Sequence, residues 1–357
     1  MKKLISMLLA VVMVFALATA ASAAEINGEN DLTGKMDVVT SFTKQYQVLS
    51  GVAPDEAFAF TVAYQSFVNQ DGVEAVAEQY PVVTLGKATF ANDMAAGTYN
   101  ANASVTISGY AECALGVYTY QITEVDNNIA GVNYVADPVF LNVTVLRDED
   151  DMKHYVAAIH YATVTGEKTG ETVNTYEAGS LNVTKKTTGN MADVTKKFPI
   201  TVVFKAETGD AFKEVSQVQI ANDNATTNRT YNYRQISEGE VSVTFELADG
   251  ETAAFTNIPL GTTYTVQETA LFGYNQVSAT GENVANASIT EGGKTVTSRI
   301  VSGEISESNG VDNAGFVNEL KTAVDTGVSM DSAPYYMILV MTVFGMVALA
   351  SKKRYEI

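Results

Sequence analysis

An internal repeat constrains the fold of this chain more than any other feature of its sequence. Each half opens with a strand-like segment that carries a lysine. It continues to an alternating segment that ends in glutamate, and it closes on a segment that carries an asparagine. The lysine and the glutamate lie 80 residues apart in the first half and 83 in the second, and the glutamate and the asparagine lie 50 apart in both. The residues are Lys44, Glu124 and Asn174, then Lys185, Glu268 and Asn318. Matched order and spacing predict two copies of one fold that meet near residues 177–179.

Short β-branched and aromatic segments fill the middle of the chain. Examples are residues 58–62, 118–122, 140–145 and 200–204. Clusters of Gly, Asn and Asp separate them at the spacing that is typical of β-sandwiches. Between the two ends of the chain no segment shows a long 3.6-residue periodicity. The sequence therefore predicts an all-β protein of two tandem sandwiches, in which helices are short or absent.

Side chains alternate across a strand, so residues two apart share a face. The lysines and glutamates of the repeat, and Asn318, each share a face with apolar residues, as Lys44 does with Phe42 and Tyr46. The pattern predicts that these polar residues point into the cores. Asn174 is the weak case, because its short segment has no clear apolar face. Lys186 is the main rival to Lys185, but alternation places it on the opposite face.

Buried lysine and glutamate shift their pKa values toward the neutral forms. A neutral lysine amine is nucleophilic, and a protonated glutamic acid can donate its proton. Beside an asparagine carboxamide, the lysine nitrogen can attack the side-chain carbonyl and release ammonia, while the glutamic acid polarises the carbonyl and shuttles protons. The product is an isopeptide bond. Taken one at a time, however, such residues are ordinarily solvated strand residues.

At these positions, and at residues 255–261 (FTNIPLG) and 262–268 (TTYTVQE), the sequence resembles the isopeptide-containing pilin domains of Gram-positive surface proteins. These occur in streptococcal shaft pilins and in collagen-adhesin B-type (CnaB) modules. The resemblance covers nearly all of residues 38–320. It implies an Ig-like pilin isopeptide-linkage domain at 30–178 and a CnaB-like domain at 179–322. It also implies Lys44–Asn174 and Lys185–Asn318 cross-links, with Glu124 and Glu268 as the catalytic groups.

Both ends of the chain carry apolar runs that predict export and anchoring. Two lysines, an apolar run and Ala21-Ser22-Ala23 are typical of a signal peptide at residues 1–23. The second run, 334–350, precedes a basic cluster, as expected of a membrane segment with a cytoplasmic end. Residues 323–357 resemble a sortase sorting signal, which implies cleavage between Thr326 and Gly327. Asp325 stands where such substrates usually have proline.

The resemblance implies a secreted, wall-anchored pilus shaft subunit that the C-terminal segment holds transiently in the membrane. Its implied partners are pilus-type and housekeeping sortases, neighbouring copies of itself, peptidoglycan and a tip adhesin. Lys168, six residues before Asn174, occupies the position of the intersubunit acceptor lysine, and Lys35 and Lys153 are the other candidates. The alternative is an adhesin or stalk that is anchored singly and does not polymerise.

Composition narrows the function classes further. The formal net charge of −19 disfavours nucleic acid as a partner. Cys113 is the only cysteine, so an exported chain of this kind lacks the usual disulfide staple. His154 and His160 are the only histidines, and no Cys/His cluster suits zinc. We expect no metal, no cofactor and no enzymatic activity beyond a single self-directed turnover.

Overall fold

The computed structural model describes residues 37–149, 152–207, 210–212, 218–222, 229–231, 234–237, 239–271, 273–291 and 294–320. The chain divides into two compact units, the first ending at Glu177 and the second beginning at Ala178. Within the described ranges no helix is long and apolar enough to cross a membrane. The predicted signal peptide, sorting signal and C-terminal apolar run lie outside those ranges.

The first unit contains twelve described strands and one turn of 3₁₀ helix at Tyr110–Glu112. The strands are β1 Val38–Ala53, β2 Glu56–Phe58, β3 Phe60–Asn69, β4 Glu74–Ala75, β5 Val82–Leu85, β6 Ala88–Phe90, β7 Met94–Ser108, β8 Gly116–Glu124, β9 Val132–Asn133, β10 Val139–Arg147, β11 His154–Ala162 and β12 Glu171–Tyr176. They form sheets of order β5-β7-β1-β12-β9 and β11-β10-β8-β3-β4, with a small β2-β6 pair. The first and last strands, β1 and β12, lie side by side and run parallel.

The second unit repeats this plan with twelve described strands. They are β13 Ala178–Thr188, β14 Phe198–Lys205, β15 Val218–Asn222, β16 Arg229–Tyr231, β17 Arg234–Ser237, β18 Glu240–Leu247, β19 Glu251–Pro259, β20 Thr263–Glu268, β21 Asn275–Thr280, β22 Asn283–Glu291, β23 Lys294–Glu304 and β24 Val311–Glu319. The sheets have the orders β16-β15-β19-β13-β24-β21 and β17-β18-β14-β20-β23-β22. Again the first and last strands, β13 and β24, are parallel neighbours.

Aromatic contacts join the two sheets of each unit. In the first unit the rings of Phe42 on β1 and Phe60 on β3 lie 4.8 Å apart, edge to face. In the second unit Phe204 on β14 and Phe255 on β19 lie 5.3 Å apart in the same manner. Such edge-to-face pairs contribute beyond the area that they bury. Each unit is therefore a two-layer β structure with its core between the sheets.

Alternating burial along the strands follows the sequence pattern. On β1 the even-numbered residues from 40 to 48 are buried and the odd-numbered ones between them are only partly buried, which is the alternation of a strand with one face on the core. β14, by contrast, is buried at seven of its eight positions, in agreement with its continuous apolar composition. The prediction of an all-β fold with little helix is confirmed.

Candidate functional site

The lysine and the asparagine of each repeat lie on adjacent parallel strands of one sheet. In the first unit Lys44 stands opposite Thr172, and Asn174 stands opposite Tyr46, two residues further along. In the second unit Lys185 stands opposite Phe316, and Asn318 lies the same two residues further along. An offset of two keeps both side chains on the inner face of the sheet. The register therefore aims each lysine diagonally at its asparagine.

The glutamate of each repeat comes from the opposite sheet. Glu124 ends β8 and Glu268 ends β20. A glycine lies at the start of β8 and another just before β20, and at β8 the reason is steric. Gly116 has φ 151°, and a Cβ there would lie 2.2 Å from the backbone oxygen of Val68. Only glycine lets β8 begin this close to β3. At the corresponding turn before β20, Gly261 has φ 78°, in the left-handed region.

In the first unit the three side chains form a closed triangle of contacts. Lys44 Nζ lies 2.7 Å from Glu124 Oε2 and 2.7 Å from Asn174 Oδ1. Asn174 Nδ2 donates to Glu124 Oε1 at 2.6 Å. Lys44 and Asn174 are completely buried, and the Glu124 side chain is 1% exposed. The sequence pattern left the direction of the Asn174 side chain open. In the structure it points into the core, as do Thr172 and Tyr176.

Burial shifts the pKa values of the first pair toward the neutral state. Desolvation lowers the pKa of Lys44, and the neighbouring Glu124 carboxylate opposes this shift. Desolvation likewise raises the pKa of Glu124, against the pull of Lys44 and the hydrogen bond from Asn174. In each case the loss of water is the largest cause. Burial therefore shifts both groups in the direction of a neutral amine and a protonated carboxyl group.

The second unit brings together the equivalent three residues. Lys185 Nζ lies 3.2 Å from Glu268 Oε2, and Asn318 Nδ2 donates to Glu268 Oε1. All three are at most 2% exposed. Desolvation lowers the pKa of Lys185 and raises that of Glu268, each against the charge of the other. The same electrostatic arrangement therefore occurs twice.

The two triads differ in what contacts the asparagine carbonyl oxygen. In the first unit Asn174 Oδ1 accepts from Lys44 and also from the backbone N–H of Val135 at 2.9 Å. In the second unit Lys185 Nζ donates instead to the backbone oxygen of Lys186 at 3.1 Å. Asn318 Oδ1 accepts no hydrogen bond from any described residue. Lys185 is therefore close to Glu268, but in the described structure it makes no hydrogen bond to Asn318 Oδ1.

Both glutamates face the amide nitrogen of asparagine rather than its carbonyl oxygen. This differs from the expectation that the glutamic acid polarises the carbonyl. In the first unit the Val135 N–H fixes the orientation of the amide, because a donor must meet Oδ1 and not the NH₂ group. Sequence reasoning missed Val135, since a backbone donor leaves no signature in the residue type.

An aromatic ring covers each lysine. Lys44 Nζ lies 5.1 Å from the ring centroid of Phe58, and Lys185 Nζ lies 4.1 Å from that of Phe198. Both rings are completely buried, so they exclude water from the amines and contribute to the desolvation that shifts the pKa values. Sequence analysis had placed Phe58 on a strand but had not connected either ring with the site.

The side chains of the other lysine candidates that the structure describes belong to neither triad. The Lys186 side chain is 62% exposed and lies 3.8 Å from Asp249, on the outer face of β13 where alternation places it. Lys168 is exposed and follows a tight turn that the Thr163 N–H and Glu167 carbonyl close at 2.8 Å. Lys153 is half-buried. Thr326, Gly327 and Lys35 lie outside the described residues.

A search of the described ranges finds no cluster of His, Cys, Asp and Glu able to hold a metal ion. His160 is half-buried and one ring nitrogen lies 3.3 Å from Asn142 Nδ2. Cys113 is buried and unpaired as a thiol, and its sulfur donates to the backbone oxygen of Gly109 at 3.3 Å. Both residues therefore make contacts within the first unit.

Comparison with known proteins relates the chain to a domain family and to a pilin. Residues 179–320 match a family described as a domain of unknown function, DUF7601. A pilin of Streptococcus pyogenes serotype M1 is 27% identical over 345 residues, which are 94% of this chain and 96% of that pilin.

One solved structure shows similarity at the level of the fold. A mutant of the major pilin from Streptococcus pyogenes aligns with a TM-score of 0.50 and 21% identity, over 80% of this chain and 99% of the pilin. Another crystal structure of that major pilin gives 0.48 and 23%, over 80% and 98%. The predicted resemblance is confirmed: this chain is similar along nearly its whole length to a streptococcal pilin, and it shares the β-sandwich fold of the streptococcal major pilins.

Proposed function

We propose that this chain is a structural subunit of a pilus, in which each domain closes a lysine–asparagine isopeptide bond on itself. A single observation supports this most strongly. Two buried Lys–Glu–Asn triads occur in the same register, each linking the first and last strands of its domain. Lysine and glutamate are almost never fully buried unless they are paired. A condensation that consumes the amine removes the free-energy cost of burying it.

The proposed reaction uses the groups in their neutral forms. The Lys44 amine attacks Cγ of Asn174, and the carbonyl electron pair moves onto Oδ1. Glu124 lies within hydrogen-bonding distance of both nitrogens. Its carboxyl group can therefore take the proton from the lysine nitrogen and deliver one to Nδ2, so that ammonia leaves and the amide carbonyl reforms. The Val135 N–H stabilises the negative charge on Oδ1. Glu124 thus serves as a proton shuttle.

The cross-link explains how the domains do without a disulfide. Lys44 and Asn174 are 130 residues apart. Closing a loop of that length stabilises a domain by roughly 4–5 kcal/mol on the chain-entropy model used for disulfides. Because the bond joins the first strand to the last, tension along the chain passes through it and bypasses the intervening strands. The function that follows is mechanical.

Assembly is the second part of the proposal. A pilus-type sortase would cleave between Thr326 and Gly327 and join Thr326 to Lys168 of the next copy, giving a head-to-tail fibre. A housekeeping sortase would attach the fibre to peptidoglycan, with a tip adhesin at the far end. The exposed position of Lys168 and the similarity to a pilin support this scheme. The competing function is that of a singly anchored adhesin.

Peptide mapping tests the cross-links directly. Tryptic digestion of the purified chain should yield two branched peptides, one joining the segments around Lys44 and Asn174 and the other those around Lys185 and Asn318. Tandem mass spectrometry identifies the joined residues. Linear peptides alone, with Lys44 and Lys185 both open to trypsin, would exclude the self-cross-linked subunit.

A further inference from the structure

Attack on an asparagine carboxamide places negative charge on its Oδ1 atom. In a site without water, a preorganised hydrogen-bond donor aimed at that atom accelerates such a step by about 100- to 1,000-fold. Both glutamates of this protein face Nδ2, so they do not fill this role. A donor to Oδ1 must come from elsewhere in each domain.

In the first domain that donor comes from the strand next to Asn174. β9 pairs with the end of β12, with Asn133 opposite Thr175. The chain leaves β9 and brings the Val135 N–H to 2.9 Å from Asn174 Oδ1. The hydrogen-bond donor to Asn174 Oδ1 therefore comes from the edge of the sheet next to β12.

In the second domain β21 occupies that same edge beside β24. Gln276 stands directly opposite Asn318 in this antiparallel pair, so the two side chains share the inner face. Opposed residues have Cβ atoms about 4.5–5.5 Å apart, a distance that a glutamine carboxamide can span. The guanidinium of Arg299 donates to the backbone oxygen of Gln276 and holds the strand at this point.

Three buried polar atoms of Gln276 and Asn318 have no hydrogen-bond partner among the described residues. They are Nε2 and Oε1 of Gln276 and Oδ1 of Asn318. Gln276 is 7% exposed and Asn318 2% exposed. Buried polar groups are seldom left unpaired, and a donor and an acceptor that lie opposite each other can pair by rotation of the glutamine side chain.

We propose that Gln276 is the oxyanion donor of the second domain. Its Nε2–H group does there what the Val135 backbone amide does in the first domain. This inference rests on the proposed self-cross-linking function and adds a residue to it. Gln276 donates a hydrogen bond and exchanges no proton with the reacting groups.

The proposed condensation joins Lys185 to Asn318 and releases one ammonia. The neutral Lys185 amine adds to Cγ of Asn318, and the carbonyl π pair moves onto Oδ1, where Gln276 stabilises it. The proton from Nζ passes through Glu268 to Nδ2. The Cγ–Nδ2 bond breaks, ammonia leaves, and the pair on Oδ1 rebuilds the carbonyl.

The test compares the two cross-links within one molecule. The full chain is labelled by a pulse of synthesis and quenched at intervals. The fraction of each branched peptide is then measured at each time. The rate at which the Lys44–Asn174 bond forms serves as the internal reference for the rate of the Lys185–Asn318 bond. In Gln276→Met, which keeps the length of the side chain but removes the donor, the Lys185–Asn318 bond should form about 100-fold more slowly. The first bond should keep its rate. Val277→Ala, a change at the exposed neighbouring residue, is the matched control and should alter neither rate.

Gln276→Glu separates catalysis from packing. A protonated glutamic acid can donate to the oxyanion, whereas a carboxylate repels it. Relative to the unaltered chain, this variant should cross-link its second domain faster at pH 5 than at pH 8. If Gln276→Met fails to fold, as judged by hydrogen exchange of β13 and β24, this pH profile decides the matter.

The outcomes distinguish the inference from the function on which it rests. If the unaltered chain forms no Lys185–Asn318 bond, the proposed function of this domain fails. If the bond forms in the unaltered chain, an undiminished rate in folded Gln276→Met overturns the role of Gln276 alone. A flat relative pH profile in Gln276→Glu overturns it equally.

Discussion

Lys44 Nζ and Asn174 Oδ1 lie 2.7 Å apart in the core of the first domain, on its first and last described strands and 130 residues apart in sequence. The equivalent pair in the second domain, Lys185 and Asn318, lies on parallel strands with the same register. Both pairs are held against a glutamate from the facing sheet. Because both pairs share this register, a single substitution can remove one cross-link and leave the other as a comparison.

Neighbouring lysines on β13 should behave in opposite ways. Lys185→Met should abolish the cross-link of the second domain, because it removes the buried amine. It should also lower the unfolding free energy of that domain by roughly 4–5 kcal/mol, if the bond acts as the chain-entropy model describes. Lys186→Met removes an exposed lysine and should leave both the bond and the stability unchanged. Branched-peptide mapping and thermal unfolding measure the two effects. A bond that persists in Lys185→Met would contradict the assignment.

Removing the lysine should expose the pKa shift of Glu124 as a dependence of stability on pH. In Lys44→Met no bond forms, and the cation that lowers the pKa of Glu124 is gone, so burial raises that pKa further above its ordinary value of 4.5. A raised pKa means that the folded state binds more protons than the unfolded state above pH 4.5. Stability should therefore be greatest below pH 4.5 and fall as pH rises through the folded pKa, by at most about 1.4 kcal/mol per pH unit.

The double variant Lys44→Met with Glu124→Gln is the control for that experiment, because it retains the shape of the site but cannot titrate. Denaturant unfolding from pH 4 to pH 8 compares the two chains. Equal pH dependence in both would mean that Glu124 is not desolvated as the contacts indicate.

The backbone donor at residue 135 should matter only through its N–H group. Val135→Pro removes the donor to Asn174 Oδ1 and should slow formation of the first cross-link by about 100- to 1,000-fold. Val135→Ala retains the N–H group and should react at the original rate. Time-resolved peptide mapping follows the first bond, and the second bond reports whether synthesis and folding are otherwise normal. Equal rates for the two variants would remove Val135 from the mechanism.

The sequence predicts the lysine and glutamate positions because β1, β8, β13 and β20 alternate clearly between apolar and polar residues. Asn174 lies on a short polar strand, and only its pairing with β1 shows that it faces the core. Val135 and Gln276 were not predictable. The first acts through its backbone, and the second lies in a polar segment (Asn275-Gln276-Val277-Ser278) whose burial depends on long-range pairing with β24. Local patterns carry no information about such pairing.

The proposed polymerisation would use an exposed lysine rather than a buried one. When the exported chain is co-expressed with a pilus-type sortase, we expect a ladder of covalent multimers on denaturing gels. Lys168→Ala should abolish the ladder while both internal cross-links still form, because Lys168 is exposed and belongs to neither triad. Lys87→Ala, a change at an exposed lysine that is not an acceptor candidate, is the matched control. Monomers throughout would favour the singly anchored adhesin, and a ladder that survives Lys168→Ala would assign the acceptor to another lysine.

The intact mass of the fragment from Ala24 to Thr326 tests the central claim most directly. Each isopeptide bond releases one ammonia, so two bonds should lower the mass by about 34 Da relative to the sequence. Glu124→Ala and Glu268→Ala should each restore about 17 Da of that deficit, once the mass of the substitution itself is allowed for. A fragment whose mass equals the sequence value would contradict self-cross-linking in both domains.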